Sequence, residues 1–146
     1  MLEVNYIENR DRQVLRSILK TENLCFNDIN AAGVQIFEVR SMQKIIGYFG
    51  YELYGNYALF RSMVVAPDYR KKGHGNLIWQ EAKKMLLIND VEDVFLLTNT
   101  AAPFFKRQGF EEVPRSSAPK DIASTTEFIE FCPSDSVCMM INLKAK

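Results

Sequence analysis

The chain has 146 residues, the size of one domain (1–146) able to bury a core of its own. Hydrophobic residues make up 47% and charged residues 25%, the balance of an ordinary globular domain and not of a disordered or fibrous chain. Eighteen Lys and Arg offset eighteen Asp and Glu, so the formal net charge is zero and a nucleic-acid partner is not suggested. No apolar run approaches the ~20 residues of a membrane helix. The opening Met1-Leu2-Glu3-Val4 lacks the basic and apolar regions of a signal peptide. Three cysteines, Cys25, Cys132 and Cys138, are too few and too scattered for a secreted disulfide framework. The expectation is a reduced, cytoplasmic protein with no membrane partner.

Residues 2–7 alternate as a short strand. Val14, Leu15, Ile18 and Leu19 recur at helical spacing, which predicts an amphipathic helix over 9–20. Residues 21–34 are polar and mixed, a second short helix or a loop. Strands are expected over 35–40 and 45–54, with a turn between them. Gly55-Asn56 is a hairpin signal leading into a strand over 57–65. A helix over 75–89 places Ile78, Ala82, Met85 and Leu86 on one side. A strand over 91–98 should run parallel to 57–65, because a helix connects them. A short helix over 101–108, a strand over 110–113, a helix over 119–131 and a strand over 136–143 complete the order. The 119–131 helix would bury Ile122, Phe128 and Ile129. The fold class is α/β (α+β): a mixed central sheet of about seven strands with helices on both faces. Neither a repeat nor an inter-domain linker is visible.

The junction between strand 57–65 and helix 75–89 carries the chemistry. Met63-Val64-Val65-Ala66-Pro67 is followed by Arg70, Lys71, Lys72, Gly73, His74, Gly75 and Asn76. Gly73 and Gly75 permit positive φ and close backbone approach. Successive amides and the helix N-terminus then form an anion site, to which the three cations add full charge. A diphosphate fits such a loop. The spacing is neither G-x-G-x-x-G nor the P-loop pattern; it is Arg70-x-x-Gly73-x-Gly75.

This loop, the preceding Val65-x-Pro67 and the later Ala102-x-x-Phe105-Lys106-x-x-Gly109-Phe110 resemble the GNAT N-acetyltransferases. The segments 96–105, 109–110, 114–115, 124–128 and 132–139 are similar to a small bacterial subgroup of arsenic-resistance-associated or amino-acid N-acetyltransferases, akin to the acetyltransferase domain of N-acetylglutamate synthases. The resemblance implies the GNAT acyl-CoA N-acyltransferase fold, in which strands 57–65 and 92–98 splay apart to admit the CoA arm. It implies acetyl transfer from acetyl-CoA, as co-substrate, to the amine of a small, amino-acid-like acceptor by direct attack. Two other readings stay open: an acetyl-CoA-binding domain without transferase activity, and a protein or peptide N-acetyltransferase. A homodimer is also left open.

The roles follow from the demands of the reaction. Holding an amine against a thioester is largely a positioning problem. One preorganised donor to the oxyanion is worth roughly 3 kcal/mol. By the resemblance, the amides of Met63, Val64 and Val65 serve the pantetheine arm and the acyl oxygen, with Val65 the catalytic donor. Residues 70–76 hold the diphosphate, and His74 contributes its backbone amide more than its ring. Asn99 either bonds the pantetheine amides or is satisfied within its loop. Phe105 stands where many members carry tyrosine; a phenyl ring has no proton for the leaving thiolate, so it packs against the cofactor arm.

Candidates for the general base are Glu38, Tyr48, Glu52 and Tyr54. Glu52 is the favoured one, although its alternation also suits a solvated face. Arg61 lies in the most apolar strand, where an unpartnered guanidinium is costly. It either pairs with Glu52 or another acid, or binds an acceptor carboxylate, with Arg115 as a second cation for that task. No metal is expected: Cys132 and Cys138 alone make a poor site.

Overall fold

The computed structural model describes residues 2–22, 24, 26–130 and 136–144. Seven strands form one sheet in the order β1-β2-β3-β4-β5-β7-β6. They are β1 (Leu2–Tyr6), β2 (Gln35–Ser41), β3 (Lys44–Tyr54), β4 (Tyr57–Val65), β5 (Asp93–Thr98), β6 (Glu111–Val113) and β7 (Val137–Asn142). β4 and β5 are parallel and every other pair is antiparallel. The helices are α1 (Gln13–Thr21), α2 (His74–Ile88), α3 (Ala102–Arg107), α4 (Lys120–Ala123) and α5 (Thr126–Glu130). Among the described residues no helix is long and apolar enough to cross a membrane.

Alternation along the strands sorts the side chains into two layers. On one face, Phe37, Phe49, Tyr51 and Phe60 meet Ile78, Trp79, Ala82 and Leu86 of α2 and Phe105 of α3. Phe60 meets Trp79 edge-on at 5.1 Å. Gly47 of β3 is what lets α2 come this close: a Cβ there would lie 2.4 Å from the Val64 carbonyl oxygen and 2.5 Å from Ile78 Cδ1. On the other face, Leu15 and Leu19 of α1 cover Ile36, Tyr48 and Val64. Further along that face Ile122 of α4 and Phe128 of α5 cover Leu59, Phe95 and Cys138. Two helical groups therefore share one face, and they flank the middle of β4.

Two expectations need correction, over α1 and over 119–131, and of the helix or loop expected over 21–34 it is the loop that forms from residue 22 on. Val14 is exposed, while Leu15 and Leu19 are buried and Ile18 packs partly buried beside them. Residues 22–34 form turns without a helix or strand among the described positions. The single helix over 119–131 is two short ones, broken at Ser124 and Thr125. The break shifts the helical phase, so Ile129 is 67% exposed and Glu127 turns inward beside Phe128. Phe131, Cys25 and Cys132 lie outside the described residues, so the Cys132–Cys138 pair is not described.

Candidate active site

β4 and β5 pair only over Tyr57↔Asp93, Ala58↔Val94 and Leu59↔Phe95. Beyond that point β4 runs on to Val65 and β5 to Thr98 without pairing, so the two strands diverge as expected. A cavity of about 340 Å³ opens in the gap, between the free strand ends 60–65 and 96–98. Glu22, Leu24 and Glu127 also line it.

A bulge shapes the β4 wall. Gly50 pairs with Arg61 and Tyr48 with Val64, so Ser62 and Met63 together face the single residue Phe49. Ser62 takes φ 59°, a left-handed conformation for a non-glycine residue. The Ala66 amide donates to the Ile46 carbonyl across β3 at 2.8 Å. Alternation then turns the Val65 amide and carbonyl to the open side. The Val65 carbonyl does accept there, from Arg70 Nε at 2.9 Å.

After β4 the chain makes a 3₁₀ turn over Pro67–Tyr69 and enters α2 at His74. Lys71 (φ 63°) and Gly73 (φ 83°) are both left-handed. Gly73 caps α2 without a side-chain hydrogen bond. Among the described residues, no backbone carbonyl accepts from the amides of 71–76, the first backbone donor in α2 being Leu77 to Gly73. These are the orphan donors of a helix start, with the positive dipole end behind them and the exposed cations Lys71 and Lys72 beside them. A Cβ on Gly75 would come within 3.1 Å of Phe104 Cε1, so side-chain bulk is excluded there.

Arg70 and His74 have their side chains engaged by neighbouring residues. The guanidinium of Arg70 is spent on the Val65 carbonyl and on Glu22, 3.3 Å away. It closes the cavity mouth and does not stand free over the loop. The ring of His74 packs edge-on against Tyr69 at 5.0 Å, and its Nδ1 is buried without a hydrogen-bond partner among the described residues. Asn99 Oδ1 is likewise buried and unpartnered, and Asn99 lines the cavity. Phe105 lines it too, packed against Phe60 and Phe110. The free amides, the bare glycine cradle and the orphaned Asn99 oxygen fit an acyl-CoA: the loop suits its diphosphate, the gap its amide-bearing arm.

On the cavity floor, Arg61 is 3% exposed and fully paired on two sides. Its Nη1 donates to Asp28 Oδ2 at 2.7 Å and to Glu52 Oε2 at 2.9 Å; its Nη2 donates to Asp28 Oδ1 at 2.5 Å. Its Nε donates to Ser62 Oγ at 3.1 Å, at the bulge. Burial works against the Arg61 charge, but Asp28, Glu127 and Glu52 outweigh it and hold the guanidinium more firmly protonated than usual. Of the two alternatives for Arg61, the ion pair is what forms; Asp28, Glu52 and Ser62 take up four of its five N–H groups.

Glu52 is buried, not solvated, and does not line the cavity. Its other oxygen accepts from the Tyr54 hydroxyl at 2.5 Å. Burial, and then this bond to Glu52, push the Tyr54 phenol up. Both Glu52 oxygens are thus engaged, one by Arg61 and one by Tyr54, and neither lines the cavity. Glu38 is tied to Arg40 at 2.5 Å. Arg115 reaches Ser136 and does not border the cavity.

Three residues that shape this site, Asp28, Arg12 and Glu127, carry no role that the sequence alone announces. Asp28 comes from the aperiodic 22–34 connection. Arg12, fully buried at the start of α1, fixes that connection by donating to the carbonyls of Ile7 (2.9 Å), Val34 (3.1 Å) and Ile29 and to the Tyr6 hydroxyl (3.0 Å). Glu127 enters from α5. Its signal is Ser124-Thr125-Thr126, a hydroxyl cluster typical of a helix start. The Phe128 amide donates to Thr125 Oγ1 at 3.3 Å, so α5 begins anew there and aims Glu127 inward.

A mixed sheet with diverging central parallel strands and an amide-rich loop at their mouth defines the acyl-CoA N-acyltransferase fold. Residues 32–112, more than half of the chain, match the family model of the acetyltransferase (GNAT) domain, and the protein belongs to that family. An uncharacterized N-acetyltransferase of Chlorobaculum tepidum is 37% identical over 65 residues, 44% of this chain and 41% of that protein. The match therefore spans less than half of that relative. N-acetylglutamate synthase from Neisseria gonorrhoeae, complexed with coenzyme A and L-arginine, superposes with a TM-score of 0.78 at 10% identity, over 99% of this chain and 34% of that one. A Mycobacterium tuberculosis protein in complex with CoA gives 0.76 at 15% identity, over 96% and 98%. Ribosomal-protein-S18-alanine N-acetyltransferase from Escherichia coli gives 0.68 at 16% identity, over 100% and 96%. At these identities the likeness carries the fold.

Proposed function

We propose that the protein is an acetyl-CoA-dependent N-acetyltransferase acting on the primary amine of a small molecule by direct attack. The observation that carries this reading is the parting of β4 from β5 after Leu59↔Phe95, with the unpaired amides of 71–76 in the connection that follows β4. Those amides, with Lys71 and Lys72, hold the diphosphate. Asn99 Oδ1 accepts from an amide of the pantetheine arm. The outward-turned Val65 amide donates to the acetyl oxygen as negative charge develops on it; by the same alternation the Val64 amide faces β3. The acceptor nitrogen attacks the thioester carbon, the C–N bond forms and the C–S bond breaks. Phe105 supplies shape and dryness there, not a proton.

The acceptor is a small amine with no required carboxylate. Toward an amino-acid-like acceptor, Arg61 already pairs with Asp28 and Glu52 and Arg115 lies off the cavity, which leaves the resemblance of the second half of the chain as its support. The resemblance of segments 96–105 and 124–128 to the arsenic-resistance-associated and amino-acid subgroup supports a small acceptor and names no molecule.

The test is acetyl transfer by the purified chain to a panel of amines, read as free CoA thiol and as acetylated product by mass spectrometry. Amine-dependent product supports the reading. Tight acetyl-CoA binding with no product from any small amine or lysine peptide would return the protein to an acetyl-CoA-binding domain.

A further inference from the structure

A second hollow, of about 620 Å³, lies between α1 and the 22–34 connection and shares no lining residue with the cavity between β4 and β5. Arg12, Arg16 and Lys20 line it. They are spaced four residues apart, so they form one row along a face of α1. The row covers about two helical turns, ~12 Å. We propose that this groove is a binding site for a small anion carrying two or more phosphate groups.

Charge carries the argument. Acids and bases are equal in number over the chain, yet among the described residues no carboxylate lines the groove. Asp28 sits between two lining residues, Asn27 and Ile29, but its carboxylate grips Arg61. Glu22, just past Lys20, pairs with Arg70. Both neighbouring acids are thus committed to the other cavity. Arg12 is fully buried, and its four hydrogen bonds among the described residues go to neutral oxygens: three carbonyls and the Tyr6 hydroxyl. Burial lowers its pKa, against the pull of Tyr6 and of Glu8, which does not line the groove. A buried cation met only by neutral groups gains from an arriving anion.

The two outer cations are held ready for it. Arg16 and Lys20 are like charges four apart on a helix, which repel. Both nevertheless lean over the Phe26 ring, at 5.6 and 6.0 Å from its centroid, which keeps them at the groove. Arg16 offers the planar fork that suits a phosphate, and Lys20 a point charge one turn further on. The carboxamides of Gln13, Asn27 and Asn30 supply N–H donors for the remaining oxygens. A single carboxylate would engage one end of this row; two linked phosphates engage its length. An anion held here also steadies Asn27 and Ile29 on either side of Asp28, and with them the connection that grips Arg61.

The test is calorimetric titration of the whole chain with pyrophosphate, with CoA in excess to occupy the 71–76 loop. One pyrophosphate should bind per chain, and more weakly as salt rises. Arg16→Gln with Lys20→Gln should weaken it at least about tenfold. Both residues are exposed, so thermal unfolding should stay where it is. Lys44→Gln with Lys106→Gln removes two exposed cations elsewhere and should bind as wild type does. Pyrophosphate should slow hydrogen exchange over 26–34 in the wild type and not in the Arg16→Gln, Lys20→Gln protein. The site is overturned if CoA-loaded wild type takes up no pyrophosphate, if Arg16→Gln with Lys20→Gln keeps the affinity, or if Lys44→Gln with Lys106→Gln loses as much. Citrate should bind more weakly; citrate binding as tightly as pyrophosphate overturns the phosphate class.

Discussion

Asp28 and Arg61 are 33 residues apart in sequence and meet in a buried two-pronged ion pair, at 2.7 and 2.5 Å. The pair ties the 22–34 connection to the middle of β4. Through Arg61 Nε and Ser62 Oγ it also braces the bulge that turns the β4 amides toward the cavity. A guanidinium in this setting tolerates no loss of partner, since its charge cannot return to water.

Asp28→Asn should therefore destabilise the protein by about 3–5 kcal/mol. Urea denaturation at neutral pH measures it. Because the bulge loses its brace, acetyl transfer should fall further than the fraction folded. A loss under about 1 kcal/mol would show that Glu52 alone sustains Arg61.

Arg12 is a second anchor of the same connection, with carbonyls of Ile7, Ile29 and Val34 on its guanidinium. Arg12→Leu leaves those buried acceptors unsatisfied, at ~1–3 kcal/mol each before relaxation. Thermal unfolding should fall by several degrees or more. Hydrogen exchange should quicken first in 26–34, where the lost bonds end.

The loop prediction concerns backbone, not charge. Gly73→Val forces a β-branched residue into φ 83°, and Gly75→Val drives a side chain against Phe104. The double variant should bind acetyl-CoA at least about tenfold more weakly, a loss of about 1.4 kcal/mol by calorimetry. Lys71→Ala should cost less and should lose its effect at high salt, because Lys71 is exposed.

Glu127 ties stability to pH with a definite sign. Its carboxyl titrates near 4.5 in the unfolded chain and is pushed up to about 7 in the fold. Between those values the folded state binds more protons, so stability falls as pH rises from about 4.5 to 7. Glu127→Gln removes this dependence and should be the more stable protein at pH 8, by up to about 3 kcal/mol. The two should converge below pH 4. Denaturant midpoints across that range decide it.

Local signals carried most of this fold into the sequence. β4 is legible to the residue, because Gly55-Asn56 turns the hairpin and Pro67 ends the strand. The Arg70-to-Gly75 loop is legible because its need for positive φ and free amides is written in adjacent residues. The acceptor side is not, since it is assembled across distance. Asp28 lies in a stretch without periodicity, and nothing nearby announces that its partner is Arg61. Glu127 is hidden by a helix that restarts: read as one phase, 119–131 puts Ile129 inside, whereas the Thr125 cap puts Glu127 there. Glu52 misleads in the other direction, because alternation suits a solvated residue as well as one facing a buried cation.

The most direct test is a crystal structure with acetyl-CoA bound. The diphosphate should lie within hydrogen-bond distance of the amides of residues 71–76, and the acetyl oxygen should accept from the Val65 amide between β4 and β5. A diphosphate seated away from that loop, or β5 hydrogen-bonded to β4 as far as Val65 in the bound form, would contradict the assignment.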